Sequence, residues 1–272
     1  MTTATTSPTA ERLAAVRAEG RAALVGYLPV GFPDRDTSVT AVRAMIDAGV
    51  DVVELGVPYS DPVMDGAVIQ AAVERALAGG VRVADTLRTV EAVADAGVPI
   101  LVMTYWNPVV RYGIDAFARD LAAAGGAGLI TPDLIPDEAE DWLRASDARG
   151  LDRVFLVAPS STAERLALTA RASRGFVYAA STMGVTGTRA TVGSQARRLV
   201  ADTRQAGAER VCVGLGVSTP EQAAEVAEYA DGVIVGSAFV RPLLDAASPR
   251  DGIAELGRVV AGLAAGVRGR NE

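Results

Sequence analysis

The chain has 272 residues, a formal net charge of −7, an apolar fraction of 50%, and 26 arginines with neither lysine nor histidine. Without those two residue types an enzyme has no Schiff-base lysine, imidazole base or histidine metal ligand, so its acid–base chemistry falls to carboxylates and tyrosines. Acidic and basic residues are interleaved and no uninterrupted apolar run reaches about 18 residues, which argues against a nucleic-acid-binding stripe or a membrane span and predicts a cytoplasmic protein.

The order of apolar runs along the chain predicts a repeated strand–helix unit. Residues 1–10 are predicted to form a flexible tail. Residues 10–19 are predicted to form a leading helix that could cover the floor of the barrel. Eight short apolar runs are typical of buried parallel strands, at 23–28, 51–55, 99–103, 128–131, 153–157, 176–179, 210–213 and 231–235. Helical periodicity lies between them, in several cases after a capping Asp, Ser or Thr, at 36–48, 115–124, 137–149, 163–172 and 221–229.

Eight strand–helix repeats predict an α/β protein, a closed (β/α)8 TIM barrel with an extra N-terminal helix, as a single domain over 11–272. An open doubly wound sheet is the alternative that also alternates strands and helices. It normally has fewer strands and a glycine-rich first turn, whereas the first turn here, at 29–33, reads Pro-Val-Gly-Phe-Pro. The barrel is therefore favoured, and Cys212, inside the seventh apolar run, is predicted to be a buried, unreactive thiol.

Glu54 is the first candidate for catalysis, because barrel active sites lie where strands end and their loops begin. It closes the otherwise apolar second strand. Burial in an apolar barrel mouth raises the pKa of a carboxyl group toward neutrality, as a general acid–base group requires. The alternative is a structural carboxylate that caps or pairs at the strand end.

Two further polar residues are candidates at the same mouth. Asp65 lies in the long proline-bearing loop after the second strand, where it either supplies a second carboxylate or caps the helix that begins near Ala67. Tyr178 lies on the sixth strand, where its phenol either reaches the barrel mouth or packs half-buried, as strand tyrosines ordinarily do. Position along the chain leaves both alternatives open.

Glycines after the seventh and eighth strands predict a phosphate site. Gly214 and Gly216 follow one strand, and Gly236 and Ser237 follow the other, at the recurrent phosphate-binding positions of this barrel. Glycine lets main-chain N–H groups approach phosphate oxygens, and a helix N-terminus adds a favourable dipole, so no lysine is needed. The alternative is that these glycines serve tight turns alone.

The loop after the second strand carries a long motif, Glu-Leu-Gly-Val-Pro-Tyr-Ser-Asp-Pro at 54–62, followed by Asp-Gly at 65–66 and Ile-Gln at 69–70. Further motif segments lie at 103–108, 113–114, 132–134, 184–187, 214–218 and 236–238. Together they closely resemble the signature of the tryptophan synthase alpha chain family, over nearly the whole sequence after the first ten residues.

The resemblance implies a carbon–carbon lyase of tryptophan biosynthesis, which reversibly cleaves indole-3-glycerol phosphate to indole and glyceraldehyde 3-phosphate without a metal or organic cofactor. It implies that Glu54 is the catalytic acid–base group, that Asp65 accepts the indole N–H bond, and that Tyr178 lies beside the substrate. The implied substrate- and phosphate-binding positions are Tyr27, Tyr105, Gly184, Thr186, Gly214, Leu215, Gly216, Gly236 and Ser237. This chain departs from the family at 27 and 215, where phenylalanine is frequent, and at 181–183, where the family commonly has Ser-Arg.

The resemblance also implies a beta-chain partner that carries pyridoxal phosphate, in an alpha2–beta2 heterotetramer that passes indole through an internal tunnel. Pro58 and Asp61 are implied contacts with that partner, which is expected to act by ordering the loops. Two alternatives stay open: a stand-alone indole-3-glycerol phosphate lyase, and a catalytically silent subunit that only activates a beta chain. Retention of Glu54, Asp65 and Tyr178 together favours an enzyme.

Overall fold

In the computed structural model, the described residues are 7–180, 189–214 and 216–269, and within them eight parallel strands form a closed barrel. The strands are β1 (Ala23–Pro29), β2 (Val52–Gly56), β3 (Ile100–Met103), β4 (Gly128–Thr131), β5 (Asp152–Val157), β6 (Val177–Ala180), β7 (Val211–Gly214) and β8 (Gly232–Val235). Each strand pairs with the next along the chain and β8 pairs with β1. The (β/α)8 prediction is confirmed, and the open sheet is excluded.

Helices provide the crossovers that parallel strands require. They are α1 (Pro8–Ala18), α2 (Arg35–Asp47), α3 (Ala67–Ala78), α4 (Val83–Val93), α5 (Trp106–Tyr112), α6 (Ile114–Ala123), α7 (Glu140–Arg149), α8 (Ala163–Ala172), α9 (Arg189–Gln205), α10 (Pro220–Ala227), α11 (Ser237–Asp245) and α12 (Pro249–Val267). The helix predicted at 137–149 begins later than expected, because Pro136–Glu138 form a separate 3-10 turn before α7. In the described ranges, no helix combines the length and apolarity that a membrane crossing requires.

The leading helix begins earlier than predicted. It starts at Pro8 rather than at residue 10, because the Ser7 hydroxyl accepts a hydrogen bond from Ala10 N and proline suits the first helical turn. The predicted tail over 1–10 is therefore too long at its C-terminal end, and its part at 1–6 lies outside the described residues.

Helix α1 closes the N-terminal end of the barrel, which we call the floor. Its side chains Leu13 and Val16 are buried among the residues that fill the barrel interior, including Phe176 and Cys212. Cys212 is fully buried, and burial raises the pKa of its thiol well above the ordinary value. The predictions of a floor-covering helix and of a buried cysteine are both confirmed.

Three buried aspartates at the floor connect the barrel to α1. The contacts are Asp51 with Arg12 at 2.6 Å, Asp231 with Arg17 at 2.5 Å, and Asp152 Oδ2, which accepts from Thr9 N at 3.2 Å. Because parallel strands all point the same way, these three contacts lie at the end of the barrel opposite to the loops that follow the strands. They therefore stabilise the fold, and the candidate active site is expected at the other end.

Candidate active site

A cavity of about 500 Å³ opens at the C-terminal end of the barrel, within the usual range for small-molecule sites of about 300 to 1,000 Å³. Its lining comes from the ends of strands and from the loops after β2, β7 and β8. The lining residues are Tyr27, Glu54, Val63, Met64, Asp65, Gly66, Ile69, Met103, Tyr178, Ala180, Gly214, Gly216, Ile234, Gly236 and Ser237. The fold thus brings together all three predicted catalytic residues and most of the predicted binding positions.

Glu54 lines this cavity from β2 with only 1% of its surface exposed. Its Oε1 atom is buried and has no hydrogen-bond partner among the described residues. Burial raises the pKa of the Glu54 carboxyl to about 8, because apolar surroundings disfavour the charged form. A structural carboxylate would have found a cap or a cation here, so the unpaired oxygen favours the functional interpretation.

Asp65 lines the same cavity from the loop after β2, and burial raises the pKa of its carboxyl. The N-cap residue of α3 is Gly66, and no side chain donates or accepts a capping hydrogen bond at this helix start. The helix-capping alternative for Asp65 is therefore wrong. The Asp65 carboxylate instead accepts from the Tyr105 hydroxyl at 3.4 Å, and its backbone carbonyl accepts from Gln70 Nε2 at 2.7 Å. The Asp65 carboxylate therefore does not cap α3, and its position is set by the hydrogen bond from Tyr105.

Two tyrosines form part of the cavity wall. Tyr27 on β1 is the register neighbour of Glu54, and its hydroxyl lies over Gly56, where an added Cβ would stand 2.3 Å from it. Tyr178 on β6 packs in the same way over Gly214, at 2.4 Å. Burial raises the pKa of both phenols well above the ordinary value, so both keep their protons and are available as hydrogen-bond donors at neutral pH.

The predicted phosphate positions lie together at one side of the cavity. Gly214, Gly216, Gly236 and Ser237 all line it, and Gly216 has a left-handed φ of 68°, which favours glycine. Ser237 begins α11, so the unpaired N–H groups of a helix N-terminus and the positive end of its dipole lie at the cavity. The predicted positions that fall outside the described residues are Gly184, Thr186 and Leu215.

Three other predicted residues lie outside the lining of the cavity. Tyr105 is 6% exposed and bonds to the cavity wall through Asp65 and its loop. Of the two predicted partner contacts, Asp61 is exposed, whereas Pro58 is buried directly after the end of β2. Pro58 is thus less accessible than Asp61 in the isolated chain, and the contact of both residues with a partner stays a prediction.

Sequence reasoning missed the apolar part of the lining. Met103 and Ile234 lie at or near the ends of β3 and β8, so the rule that site residues follow strand ends would have indicated them. Ile69 lies on α3, where its spacing does not distinguish a cavity wall from ordinary helix packing. An apolar wall beside two carboxyl groups suits a ligand with an aromatic ring and a polar tail.

A second cavity, of about 410 Å³, lies at the floor and has several arginines in its lining. Arg17 and Arg204 both donate to the buried carboxylate of Asp231, so their charges are already compensated by the protein. Within the described ranges, no group of three or more Asp, Glu or Cys side chains is arranged to hold a metal ion. The cavity at the C-terminal end is therefore the candidate active site.

Comparison with known proteins agrees with this geometry. The family model described as tryptophan synthase alpha chain matches residues 13–267. This chain belongs to the tryptophan synthase alpha chain family. The tryptophan synthase alpha chain of Thermobifida fusca is 62% identical over 260 residues, covering 94% of this chain and 96% of that protein. The tryptophan synthase alpha chain of Mycobacterium marinum is 64% identical over 255 residues, covering 94% and 93%.

Solved structures of the family share the same barrel. A crystal structure of tryptophan synthase from M. tuberculosis, in an open form, has 57% identity and a TM-score of 0.88, covering 96% of this chain and 99% of that chain. The tryptophan synthase subunit alpha of Legionella pneumophila has 32% identity and a TM-score of 0.88, covering 96% and 98%. As a member of the tryptophan synthase alpha chain family, the protein is a lyase that cleaves indole-3-glycerol phosphate to indole and glyceraldehyde 3-phosphate.

Proposed function

We propose that the cleavage is performed with Glu54 as the acid–base group, Asp65 as the acceptor of the indole N–H, and the loops after β7 and β8 as the phosphate site. The observation that supports this most strongly is the buried Glu54 carboxyl, which lines the cavity, has no partner for Oε1 among the described residues and has a pKa of about 8. A carboxyl group with that pKa is largely protonated at neutral pH, so it enters the reaction as an acid.

The proton of Glu54 goes to C3 of the indole ring, which becomes a cationic indolenine. The Asp65 carboxylate accepts the ring N–H bond and stabilises the positive charge. The bond between C3 and the adjacent glycerol carbon breaks, and its electron pair returns to the ring. The Glu54 carboxylate takes the proton from the hydroxyl on that glycerol carbon, which becomes the aldehyde, so the acid is regenerated as both products form.

The remaining wall residues orient the substrate in this proposal. The neutral phenols of Tyr27 and Tyr178 supply hydrogen-bond donors beside Glu54, and the glycines and helix N-terminus on the far side hold the phosphate. Phosphate binding remote from the reacting carbon contributes orientation, because binding energy there places C3 against the acid.

We propose that this chain needs no cofactor of its own. The chain contains no lysine, and so no side chain that could hold pyridoxal phosphate as a Schiff base, which assigns that cofactor to a beta-chain partner. The cytoplasmic location expected from the composition stays a prediction.

We further propose that a beta chain docks beside the loops after β2, β3 and β4, in an alpha2–beta2 heterotetramer. Large apolar side chains are exposed there at Val63, Met64, Val110 and Ile135, the first of them 84% exposed. The segments that bear them follow three neighbouring strands, so they share one side of the C-terminal end. A cluster of exposed apolar side chains is a usual mark of a protein interface, and Asp61 adds an accessible charge.

The test is the release of indole from indole-3-glycerol phosphate by the purified chain, with and without a beta chain, for the wild type and for Glu54→Gln. We expect slow cleavage that the partner accelerates and that the substitution lowers by at least about 10²-fold. Unchanged activity in Glu54→Gln would refute the acid–base role. A rate that is high without the beta chain and does not change when it is added would identify a stand-alone lyase, and no indole under either condition would refute the proposed cleavage.

A further inference from the structure

The hydroxyl of Tyr105 bonds to three consecutive residues of the loop that carries Asp65. It accepts from Val63 N at 3.0 Å and from Met64 N at 3.1 Å, and it donates to Asp65 Oδ1 at 3.4 Å. A phenol has one proton and two acceptor lone pairs. These three bonds use all of them, so the Tyr105 hydroxyl is committed to the loop.

Tyr105 itself is fixed by its surroundings. It is 6% exposed, and its ring packs against Tyr59 with the ring centroids 5.3 Å apart. The next residue along the chain, Trp106, donates its backbone N–H to Asp133 Oδ1 at 2.8 Å, which ties the loop after β3 to the loop after β4. The loop after β3 is therefore a fixed support, and the loop after β2 is the part that is placed by it.

The loop at 63–65 depends on this support because its side chains are largely solvent-exposed. Val63 is 84% exposed and Met64 is 45% exposed, so little apolar packing restrains the backbone there. On the other side, Gln70 Nε2 donates to the Asp65 carbonyl at 2.7 Å. Asp65 is thus held at its carbonyl by α3 and at its carboxylate by Tyr105.

We propose that Tyr105 is a positioning residue, whose hydroxyl sets the place of the Asp65 carboxylate by binding the loop at 63–65. The inference rests on the role proposed above for Asp65. A carboxylate that stabilises charge in the transition state acts mainly on the rate, and displacing such a group by about 1 Å costs up to about 10²-fold. Loss of the Tyr105 hydroxyl therefore lowers turnover more than it weakens substrate binding.

The first test is Tyr105→Phe, which keeps the ring and removes the hydroxyl. We expect kcat for indole release to fall by about 10-fold to 100-fold while KM stays within about twofold. Tyr112→Phe is the matched control, because the Tyr112 hydroxyl donates to Asp120 at 2.8 Å, away from the cavity, and its loss leaves both constants unchanged. A raised KM with unchanged kcat would overturn the proposal, since it would mean that the hydroxyl contacts substrate.

The second test asks whether Tyr105 acts through Asp65. In an Asp65→Asn background, we expect Tyr105→Phe to lower kcat by less than about twofold, because the group that it places has already been removed. A full loss in both backgrounds would show that the hydroxyl acts independently of Asp65 and would overturn the inference.

The third test needs no activity. Amide hydrogen exchange at Val63 and Met64 is expected to be faster in Tyr105→Phe than in the wild type, because both N–H groups lose their acceptor. Equal exchange rates would overturn the positioning role whatever the activity. Absence of indole release from the wild type would overturn the proposed function whatever the exchange rates, so the two failures are distinguishable.

Discussion

A buried carboxyl group is costly to the fold, and Glu54 is such a group, with no hydrogen-bond partner for Oε1 in the described part of the chain. Its pKa is about 8 in the folded chain against an ordinary value of 4.5. Between these values the folded chain keeps a proton that the unfolded chain has lost, so rising pH lowers the free energy of unfolding across this window. The same property that makes Glu54 a suitable acid at neutral pH therefore destabilises the protein.

Glu54→Gln removes this titration while keeping the side-chain volume. We expect the variant to exceed the wild type in free energy of unfolding by several kcal/mol above about pH 8, and to match it below about pH 4.5, by denaturant unfolding at both values. The catalytic loss and the stability gain occur in the same variant. A difference that does not change with pH would contradict the raised pKa.

The two carboxyl groups also predict the pH dependence of cleavage. Above about pH 8 kcat falls as Glu54 loses the proton that it donates, and at low pH kcat falls as Asp65, whose pKa is raised by burial, becomes protonated and no longer accepts the indole N–H. A kcat profile over about pH 4 to 10 checks both limbs. In Asp65→Asn we expect a lower maximum kcat and no fall of kcat at low pH. A wild-type profile that stays flat through pH 8 would refute the assignment of Glu54 as the acid.

Gly214 is required by the cavity wall as well as by the phosphate site. A Cβ at this position would stand 2.4 Å from the Tyr178 hydroxyl, so Gly214→Ala forces the ring toward the cavity. We expect KM for indole-3-glycerol phosphate to rise by about 10-fold or more. Gly257→Ala is the control, because nothing lies within 4 Å of its added Cβ, and inside α12 it should leave KM unchanged and stabilise the chain by up to about 1 kcal/mol.

At the scale of elements, the attachment of α1 to the barrel depends on buried charge. Asp51 is 1% exposed, pairs with Arg21 at 2.7 Å and with Arg12 at 2.6 Å, and accepts from Leu24 N at 2.9 Å. Burial opposes its ionisation, but the hydrogen bond and charge of Arg21, with the other donors, hold the pKa of the Asp51 carboxyl below its ordinary value. The helix is therefore held most firmly when Asp51 is ionised.

Asp51→Asn should lower the free energy of unfolding by roughly 3 to 5 kcal/mol at neutral pH, because it removes the buried carboxylate that pairs with Arg12 and Arg21 and leaves the buried Arg21 with only the exposed Glu19 as its ion-pair partner. Since the folded pKa is depressed, this contribution is present above the ordinary carboxyl pKa and is lost as the pH falls through the folded value. Urea unfolding at neutral pH and at about pH 3 checks the prediction. Asp115→Asn, in an exposed pair with Arg144, should change stability by at most about 1 kcal/mol, and an equal loss in both variants would contradict the buried role.

At the scale of the whole molecule, the barrel separates a floor made of ion pairs from a mouth with an apolar, accessible side. Val110 on α5 and Ile135 before α7 are exposed but do not line the cavity. Substitutions at these two residues therefore test partner docking without altering the active site. Val110→Glu and Ile135→Glu place a charge on the proposed partner surface. We expect each to weaken beta-chain binding by about 10-fold or more, while cleavage by the isolated chain stays unchanged.

Titration of the beta chain against indole release measures this effect directly. Ala261→Glu is a matched control, because Ala261 is exposed on α12, which packs against α2, α10 and α11 rather than against α5. Activation curves that coincide for the wild type and both mouth variants would exclude this side of the barrel as the docking surface.

The local pattern of apolar runs and turns was sufficient to predict most of the strands. The run predicted at 128–131 coincides with β4, and the other strands differ from their predicted bounds by about a residue, because a short apolar run between turns is a local signal. The start of α1 was missed because its cap, Ser7, precedes a proline within a stretch rich in threonine. Glu54 and the glycines after β7 and β8 were predictable because strand ends in a barrel converge on one mouth.

The sequence by itself determined the barrel, the family motifs and the positions where a site would form, since each of these depends on neighbours along the chain. Only the tertiary structure decided that Glu54 Oε1 has no partner within the described ranges, that Asp65 does not cap α3, that Pro58 is buried, and that Tyr105 binds a loop about 40 residues away. The physical reason is that burial and hydrogen-bond partners come from residues distant in sequence, and spacing along one strand or loop does not specify which of them will meet.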